Sequence, residues 1–200
     1  MFVHSQSNVN VAENTVAIVL AAGKSKRLGE PKALLNCGNQ TLIEFIVKRL
    51  ESIELKVIVV TNSVLEKSIK KSLSFTKATV LIPKNTNYRT GNVIAGLNIC
   101  NNPGKILVVP VDRPGWSLNT IKHLIENNET SCPEYEGKGG HPLLICKQDL
   151  EILKKSPKDS PLNSLFSTKK INVNDPHIHL NIDTQDDIKL LNHFIDEFES

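Results

Sequence analysis

Short apolar runs alternate along the chain with segments in which apolar positions recur every three or four residues. Residues 16–20, 56–61 and 105–110 are runs rich in β-branched side chains. Such runs are typical of strands that are buried on both faces in a parallel sheet. A further short strand is predicted at residues 79–82. The pattern therefore predicts an α/β protein with a buried central sheet.

Segments with helical periodicity follow these predicted strands. Residues 41–44 and 63–66 have the sequence of capping boxes, which predicts that a helix starts at each of them. Two further helices are predicted, from Thr90 to about Asn101 and over residues 118–125, where apolar positions again fall on one face. Strands alternating with amphipathic helices predict right-handed βαβ units and a doubly wound, mainly parallel, Rossmann-like sheet.

The rhythm changes after Cys132. Two short segments, residues 134–136 and 142–146, flank the glycine-rich residues 137–140, which predicts a hairpin or loop and a small antiparallel extension of the sheet. Two more short segments, 170–173 and 178–181, follow a helical stretch, and Thr184 to Asp187 is predicted to cap the last helix. With no internal repeat or linker, one domain is expected at residues 15–200, after a polar tail at 1–14.

Composition narrows the class of protein. With 200 residues and 40% hydrophobic side chains, the chain can form a sizeable core. A net charge of +3 argues neither for nor against nucleic acid, but the chain has no dense basic run with interleaved aromatic residues, so no nucleic-acid partner is expected. No apolar run approaches the ~20 residues of a membrane helix. The tail lacks the pattern of a signal peptide. Cys37, Cys100, Cys132 and Cys146 have no metal or redox spacing, so we expect reduced, partly buried thiols in a cytoplasmic protein.

The loop after the first predicted strand is a candidate phosphate site. In open parallel sheets, ligands bind beyond the carboxyl ends of the strands, and glycines there let backbone N–H groups converge on phosphate oxygens. Its positive charges are Lys24, Lys26, Arg27 and Lys32. The spacing of Gly23 and Gly29 does not match a Walker loop, and no G-x-G-x-x-G is present. From the residues alone, the alternative is an ordinary basic surface loop.

This loop resembles the signature of the molybdenum-cofactor-type nucleotidyltransferases, broadly L-A-[AG]-G-x-S-x-R-[ML]-G-x-P-K. Every fixed position of that pattern is matched, by Leu20, Ala21, Ala22, Gly23, Ser25, Arg27, Leu28, Gly29, Pro31 and Lys32. Four later segments also resemble the family, at residues 89–92, 110–114, 140–142 and 181–187. The resemblance therefore covers nearly the whole chain after Asn14.

The resemblance implies roles for particular residues. The implied NTP-binding residues are Leu20, Ala21, Ala22, Gly23, Ser25, Arg27 and Lys32, together with Thr90, Gly91 and Asn92 around the base. Arg27, Lys32 and Asp112 would be catalytic. Asp112 and Asp183 would hold Mg²⁺, a hard cation that takes one or two protein carboxylates plus phosphate oxygens. The alternatives are a turn residue before proline for Asp112 and a neighbour of a helix cap for Asp183.

Two further residues are implied on the acceptor side. Arg113 stands where the family commonly has glutamine, and it could meet an acidic acceptor or form a surface ion pair. His141 could bind a phosphate or be a turn histidine satisfied by backbone. Trp116 and Tyr88 are candidates for stacking on a ligand, although single aromatic residues more often serve packing.

The expected reaction is transfer of a nucleoside monophosphate from an NTP to a phosphorylated acceptor, with release of pyrophosphate. Relatives that use CTP tend to carry two alanines before the glycine, so Ala22 favours CTP over GTP. Molybdopterin is the expected acceptor, and a molybdoenzyme apoprotein is a possible partner. Two alternatives stay open: a sugar- or polyol-phosphate nucleotidyltransferase, and a non-catalytic nucleotide- or cofactor-binding protein that serves metalloenzyme maturation.

Overall fold

The computed structural model of the chain describes residues 14–23, 25, 27–84 and 88–199, with side chains as far as residue 196. The predicted tail therefore lies, apart from Asn14, outside the described residues. The strands are β1 (Thr15–Leu20), β2 (Asn36–Cys37), β3 (Gln40–Thr41), β4 (Lys56–Val60), β5 (Thr79–Leu81), β6 (Lys105–Pro110), β7 (Ser131–Tyr135), β8 (Lys138–Gly139), β9 (Leu143–Cys146) and β10 (Lys169–Asn172). The helices are α1 (Leu42–Glu51), α2 (Glu66–Ser72), α3 (Arg89–Asn98), α4 (Leu118–Glu126), α5 (Lys147–Lys155) and α6 (Gln185–Glu199).

The central sheet has the strand order β10-β7-β9-β6-β1-β4-β5, and β8 pairs with β7. β1 lies between β4 and β6 and is parallel to both, and β5 is parallel to β4. β9 pairs antiparallel with β6 and with β7, which confirms a mainly parallel sheet with an antiparallel extension. Because the chain leaves β1 toward β4 on one side and later reaches β6 on the other, a crevice opens beyond the end of β1.

Helices cover both faces of this sheet. Along β1, Ala17 and Val19 face a core that includes α1, α4 and α6, whereas Ile18 faces a second core with α3 and α5. This alternation follows from the two-residue period of a strand. All the strand residues just named are fully buried, as expected for a strand with helices on both sides. The predicted doubly wound arrangement is therefore confirmed.

Side chains accept hydrogen bonds near the starts of three helices. Thr41 accepts a hydrogen bond from the Glu44 N–H at 3.4 Å, as predicted for α1. The capping box predicted at Ser63 is wrong, because Asn62 Oδ1 instead accepts from the N–H groups of Val64 and Leu65, at 3.0 and 3.1 Å. Asn62 can reach them because its short amide mimics a backbone turn. Thr184, just before α6, does interact with Asp187 in the first turn of that helix, but Asp187 is the acceptor.

Three boundaries differ from the sequence prediction. α3 begins at Arg89, one residue before Thr90, and ends at Asn98 rather than near Asn101. Residues 170–173 coincide with β10 to within one residue, whereas 178–181 form part of a turn and a loop.

All four cysteines are free thiols, and two of them are buried. Across the described parts of the chain, every helix is too short or too polar to span a bilayer.

Candidate functional site

A cavity of about 330 Å³ lies at the carboxyl ends of β1 and β6. It is bounded by the predicted phosphate loop, the first turn of α3 and the segment after β6. Its lining consists of Leu20, Ala21, Ala22, Gly23, Ser25, Arg27, Lys32, Ala33, Leu65, Arg89, Asn92, Pro110, Val111, Asp112 and Asp183. The structure therefore brings together the loop residues and both candidate metal ligands, which are far apart in sequence.

The start of the phosphate loop is held by its neighbouring strands. The Ala21 N–H donates to the Val60 carbonyl at 2.8 Å, and the Val111 N–H donates to the Leu20 carbonyl at 3.1 Å. Asn62 Nδ2 donates to the Ala22 carbonyl at 3.2 Å while its Oδ1 caps the turn before α2. These bonds extend the sheet past the end of β1, so that the loop backbone has a fixed position beside the cavity.

The end of the loop turns back toward the sheet. Ser25 has a φ of +44°, an uncommon conformation for a residue other than glycine, and its Oγ accepts from the Lys32 N–H at 3.1 Å. Gln185, at the start of α6, donates to the Leu28 carbonyl at 3.1 Å. The charges predicted at Lys24 and Lys26 lie outside the described residues. The loop thereby directs the side chain of Lys32 inward.

The ammonium of Lys32 lies between the two candidate metal ligands. Its Nζ is 2.6 Å from Asp183 Oδ1 and 3.2 Å from Asp112 Oδ2. The Lys32 side chain is 13% exposed and each carboxylate is 27% exposed. Hydrogen bonds from Lys32 and then from Asn181 hold the pKa of Asp183 below its usual range. The two aspartates therefore form a partly buried anionic pair that binds a cation.

Arg27 is on the solvent side of this pair. Its guanidinium is 3.4 Å from Asp183 Oδ2, and its side chain is 74% exposed. An exposed ion pair of this kind contributes little to stability and breaks easily. Arg27 can therefore turn toward a ligand at the mouth of the cavity.

Three contacts keep the two aspartates together. The Ile182 N–H donates to the Asp112 carbonyl at 2.9 Å. Asn181 Nδ2 donates to Asp183 Oδ2 at 2.7 Å, and Asp187 Oδ2 accepts from the Asp183 N–H at 2.9 Å. Both the backbone and the carboxylate of Asp183 are therefore oriented by neighbours.

Arg49 of α1 holds the loop after Asp112 in place through hydrogen bonds to its backbone. This buried guanidinium donates to the carbonyls of Pro114, at 3.3 Å, and Trp116, and lies 4.1 Å from the centre of the Trp116 ring. Burial lowers the pKa of Arg49 to about 10, so it stays charged at neutral pH. Trp116 is fully buried and serves packing rather than ligand stacking. A side chain at Gly115 would meet the His177 carbonyl at 1.9 Å, so glycine is required there.

The acceptor-side candidates do not line the cavity: Arg113 follows Asp112 directly in the chain, and His141 is close enough to Asp112 for their charges to interact. His141 Nδ1 is buried and has no hydrogen-bond partner. Burial, with the charges of Arg113 and Arg89, lowers the pKa of His141 to about 4, and Asp112 opposes that shift. His141 is therefore neutral at pH 7, beside two arginines and a candidate metal ligand. Such a place suits an anion that accepts hydrogen bonds from uncharged and charged donors.

The residues predicted around the base are separated by the structure. Asn92 is 7% exposed, lines the cavity, and has a buried Oδ1 without a hydrogen-bond partner. Thr90 and Gly91 instead bind the 158–160 segment: Thr90 Oγ1 donates to the Ser160 carbonyl at 2.6 Å, and the Gly91 N–H donates to the Lys158 carbonyl at 3.0 Å. Only Asn92 of the three therefore faces the ligand space.

Several site residues escaped the sequence prediction. Arg89 and Leu65 line the cavity, and Asn62 and Asp187 hold the loop and Asp183 in place. Arg89 is the first residue of the segment 89–92, which resembles the family, so this resemblance could have identified Arg89 as a site residue. Leu65, just before α2, gave no such signal, because it lines the cavity only after β1 and β4 have paired.

The pair Asp112 and Asp183 fits a divalent metal. Their oxygens converge on one cation, the Lys32 ammonium, and both are hard ligands. Among the described residues there is no group of three or more His, Cys, Asp or Glu side chains that could enclose a metal ion. A metal held here would need oxygens from elsewhere, as Mg²⁺ does when it binds together with phosphates.

Two curated proteins are similar to parts of this chain. A probable molybdenum cofactor guanylyltransferase of Bacillus mycoides is 29% identical over 109 residues, which are 54% of this chain and 54% of that protein. The chain thus matches about half the length of this curated relative. A 2-C-methyl-D-erythritol 4-phosphate cytidylyltransferase of Dictyoglomus thermophilum is 42% identical over 57 residues, 27% of this chain and 25% of that protein.

A solved structure has the same fold. The Rv0371C complex with manganese from Mycobacterium tuberculosis superposes with a TM-score of 0.71 at 18% identity, covering 90% of this chain and 98% of that chain. The model of the MobA-like NTP transferase domain matches residues 17–173, a span that includes the phosphate loop and Asp112. This match extends over most of the chain, which therefore belongs to the MobA-like NTP transferase domain family.

Proposed function

We propose that this chain transfers a nucleoside monophosphate from an NTP to a phosphate group of a small acceptor and releases pyrophosphate. The observation that carries the proposal is the convergence of Lys32 on Asp112 and Asp183, at 3.2 and 2.6 Å, beside the phosphate loop. This arrangement combines a phosphate-binding cation with a pair of metal ligands at one end of β1. Membership of the family supports the same reaction class.

The reaction follows an in-line displacement at the α-phosphorus. An oxygen of the acceptor phosphate forms a bond to that phosphorus, the bond to the bridging oxygen of the β-phosphate breaks, and pyrophosphate leaves. A phosphate monoester is already anionic, so no strong general base is needed. Catalysis is then alignment and charge neutralisation, which preorganised groups supply efficiently.

The position of each residue in the cavity indicates its role in binding and neutralising the phosphates. Lys32 lies deep in the cavity and would neutralise the α-phosphate, where charge shifts during the reaction. Arg27, exposed at the mouth, would hold the β- and γ-phosphates. Backbone groups from Ala21 to Gly23 would cradle the phosphates. Mg²⁺ bound by Asp112 and Asp183 would neutralise phosphate charge, and the manganese complex of the structural relative supports a divalent metal in this fold.

The base is proposed to be cytosine, with guanine as the second candidate. Ala22 borders the cavity, and its methyl group would crowd a purine placed close to the backbone. Asn92 Oδ1 accepts no hydrogen bond in the free protein, so it can accept one from an exocyclic amine of a base. Cytosine and guanine both carry such an amine. Guanine stays the second candidate because the Bacillus relative is named as a probable guanylyltransferase.

The acceptor is proposed to carry a phosphate that lies near Arg113 and His141. His141 is neutral and buried beside Arg113 and Arg89, so an anion there meets two positive charges. Molybdopterin is the first candidate, in keeping with the Bacillus relative's name. A polyol phosphate is the second, since the Dictyoglomus relative is named for such a substrate.

One screen tests this proposal. Pyrophosphate release would be measured for all four NTPs against molybdopterin and a panel of sugar and polyol phosphates, with Asp112→Asn as the inactive control. Turnover with one NTP and one acceptor is expected, and CTP should have the highest kcat/KM. Ala22→Gly should then lower the ratio of kcat/KM for CTP to kcat/KM for GTP. NTP binding without turnover on any acceptor would favour a non-catalytic accessory protein, and a wild-type preference for GTP would refute the cytosine proposal.

A further inference from the structure

Lys32 occupies the place that a cation bridging the two carboxylates would take. Its Nζ contacts one oxygen of Asp183 at 2.6 Å and one of Asp112 at 3.2 Å, and the Lys32 side chain is 13% exposed. Arg27 also contacts Asp183, at 3.4 Å, but from the solvent side. A divalent ion bound by both carboxylates would therefore displace the ammonium, since two cations cannot share the same oxygens without repulsion.

In the proposed reaction, the same ammonium has a second binding partner, the α-phosphate of the NTP. Lysine carries its charge on a flexible four-carbon stem, so Nζ can move between two anionic partners while the backbone stays in place. The backbone of Lys32 is held by the bond from its N–H to Ser25 Oγ at 3.1 Å. A metal–nucleotide complex brings both the displacing cation and the new anionic partner.

We propose that Lys32 holds Asp112 and Asp183 in place in the free protein and leaves them when the metal–nucleotide complex binds. Metal entry and delivery of the ammonium to the α-phosphate are then one coupled step. This inference rests on the proposed function. It requires that a divalent metal binds weakly to the free protein, because it must displace Lys32, and more tightly when nucleotide offers Lys32 another partner.

Binding of Mn²⁺ alone, followed by the electron paramagnetic resonance signal of the free ion, tests the competition. Without nucleotide, Lys32→Met should bind Mn²⁺ about 10-fold more tightly than wild type, a coupling of ordinary size. Lys56→Met is the matched control, since Lys56 is exposed at the opposite end of the sheet, and its affinity should stay within about 2-fold of wild type. Arg27→Met removes a charge from the outside of Asp183 and should give a much smaller increase than Lys32→Met. Equal increases for Lys32→Met and Arg27→Met, or no increase for Lys32→Met, would overturn the exchange.

A second measurement needs no variant of uncertain folding. In wild-type protein labelled with ¹⁵N-lysine, the Lys32 ammonium resonance is expected to shift when Mg²⁺ and a non-hydrolysable α,β-methylene analogue of CTP or GTP are added together. An unchanged Lys32 resonance at saturating analogue would refute the movement. If Mn²⁺ binding behaves as expected but no NTP is turned over, only the proposed function fails. If turnover is found and Lys32→Met gains no affinity, only the exchange fails.

Discussion

The N–H of Ile182 donates to the carbonyl oxygen of Asp112 at 2.9 Å, a bond between the two segments that carry the candidate metal ligands. Ile182 is fully buried, so the bond is shielded from water. It places Asp183 beside Asp112 although the two are 71 positions apart in the chain. The carboxylates then meet on Lys32 at 2.6 and 3.2 Å.

Asp112→Asn is expected to lower kcat by at least about 10²-fold, because a carboxylate that holds a metal supports several kcal/mol of charge stabilisation. The fold should persist, since the Asp112 side chain is 27% exposed in the cavity. Steady-state pyrophosphate release and a thermal melt would measure the two effects. Asp196→Asn, an exposed change of the same charge on α6, serves as the control. Undiminished metal-dependent turnover in Asp112→Asn would exclude Asp112 as a ligand.

Lys32→Ala is expected to lower kcat by about 10²–10³, the scale seen when one preorganised donor to a transition state is lost. NTP affinity should fall much less, because Arg27 and the loop amides remain. Lys32→Arg should also be poor, since a planar fork cannot replace a compact charge between two oxygens. Single-turnover kinetics with separately measured NTP binding would distinguish these effects. A variant that loses affinity but keeps its chemical rate would mean that Lys32 binds only the ground state.

Asp187→Asn is expected to weaken Mn²⁺ binding by about 10-fold, the lower end of the range for residues that orient a metal ligand. Asp187 Oδ2 accepts from the N–H groups of Asp183 and Thr184, and these bonds lower the pKa of Asp187. Asp186→Asn is the matched control, because Asp186 is adjacent, exposed and paired with Lys189. Titration of Mn²⁺ into each variant would test the difference. Equal losses in the two variants would point to net charge rather than orientation.

The neutral state of His141 predicts a dependence of stability on pH. Its pKa is about 4 in the folded protein, against 6.5 ordinarily, so between these values the unfolded chain binds more protons. The contribution of neutral His141 to the free energy of unfolding should therefore be complete above pH 6.5 and should be lost as the pH is lowered toward 4. The free energy of unfolding should be about 2 kcal/mol lower at pH 4.5 for this reason. Urea unfolding at pH 7 and pH 4.5 would measure this loss. His141→Gln should lose less stability over the same range, and an equal loss in both proteins would contradict the prediction.

The sequence by itself determined the order of the elements and the resemblance of the loop to a known family. Apolar runs and helical periodicity depend on neighbours a few positions apart, so the strands of the parallel sheet and the amphipathic helices could be predicted to within a few residues. The match between residues 20–32 and the family signature likewise needed no tertiary information. The predicted start of α2 was wrong, because Asn62 rather than Ser63 accepts hydrogen bonds from the turn before the helix, while its amide nitrogen donates to the Ala22 carbonyl.

Only the tertiary structure decided how distant residues meet. Pairing of β1 with β4 and β6 brings Asn62 to Ala22 and Asp112 to Lys32, and no periodicity encodes those distances. The turn before Asp183 packs on Gly115 because a carbonyl fits only where a side chain is missing, which local sequence does not specify. Thr90 and Asn92, two positions apart on α3, face different partners, since the segment at Ser160 covers one and leaves the other toward the cavity. Burial and long-range contact assign these roles, and both arise only once the sheet and its helices have packed.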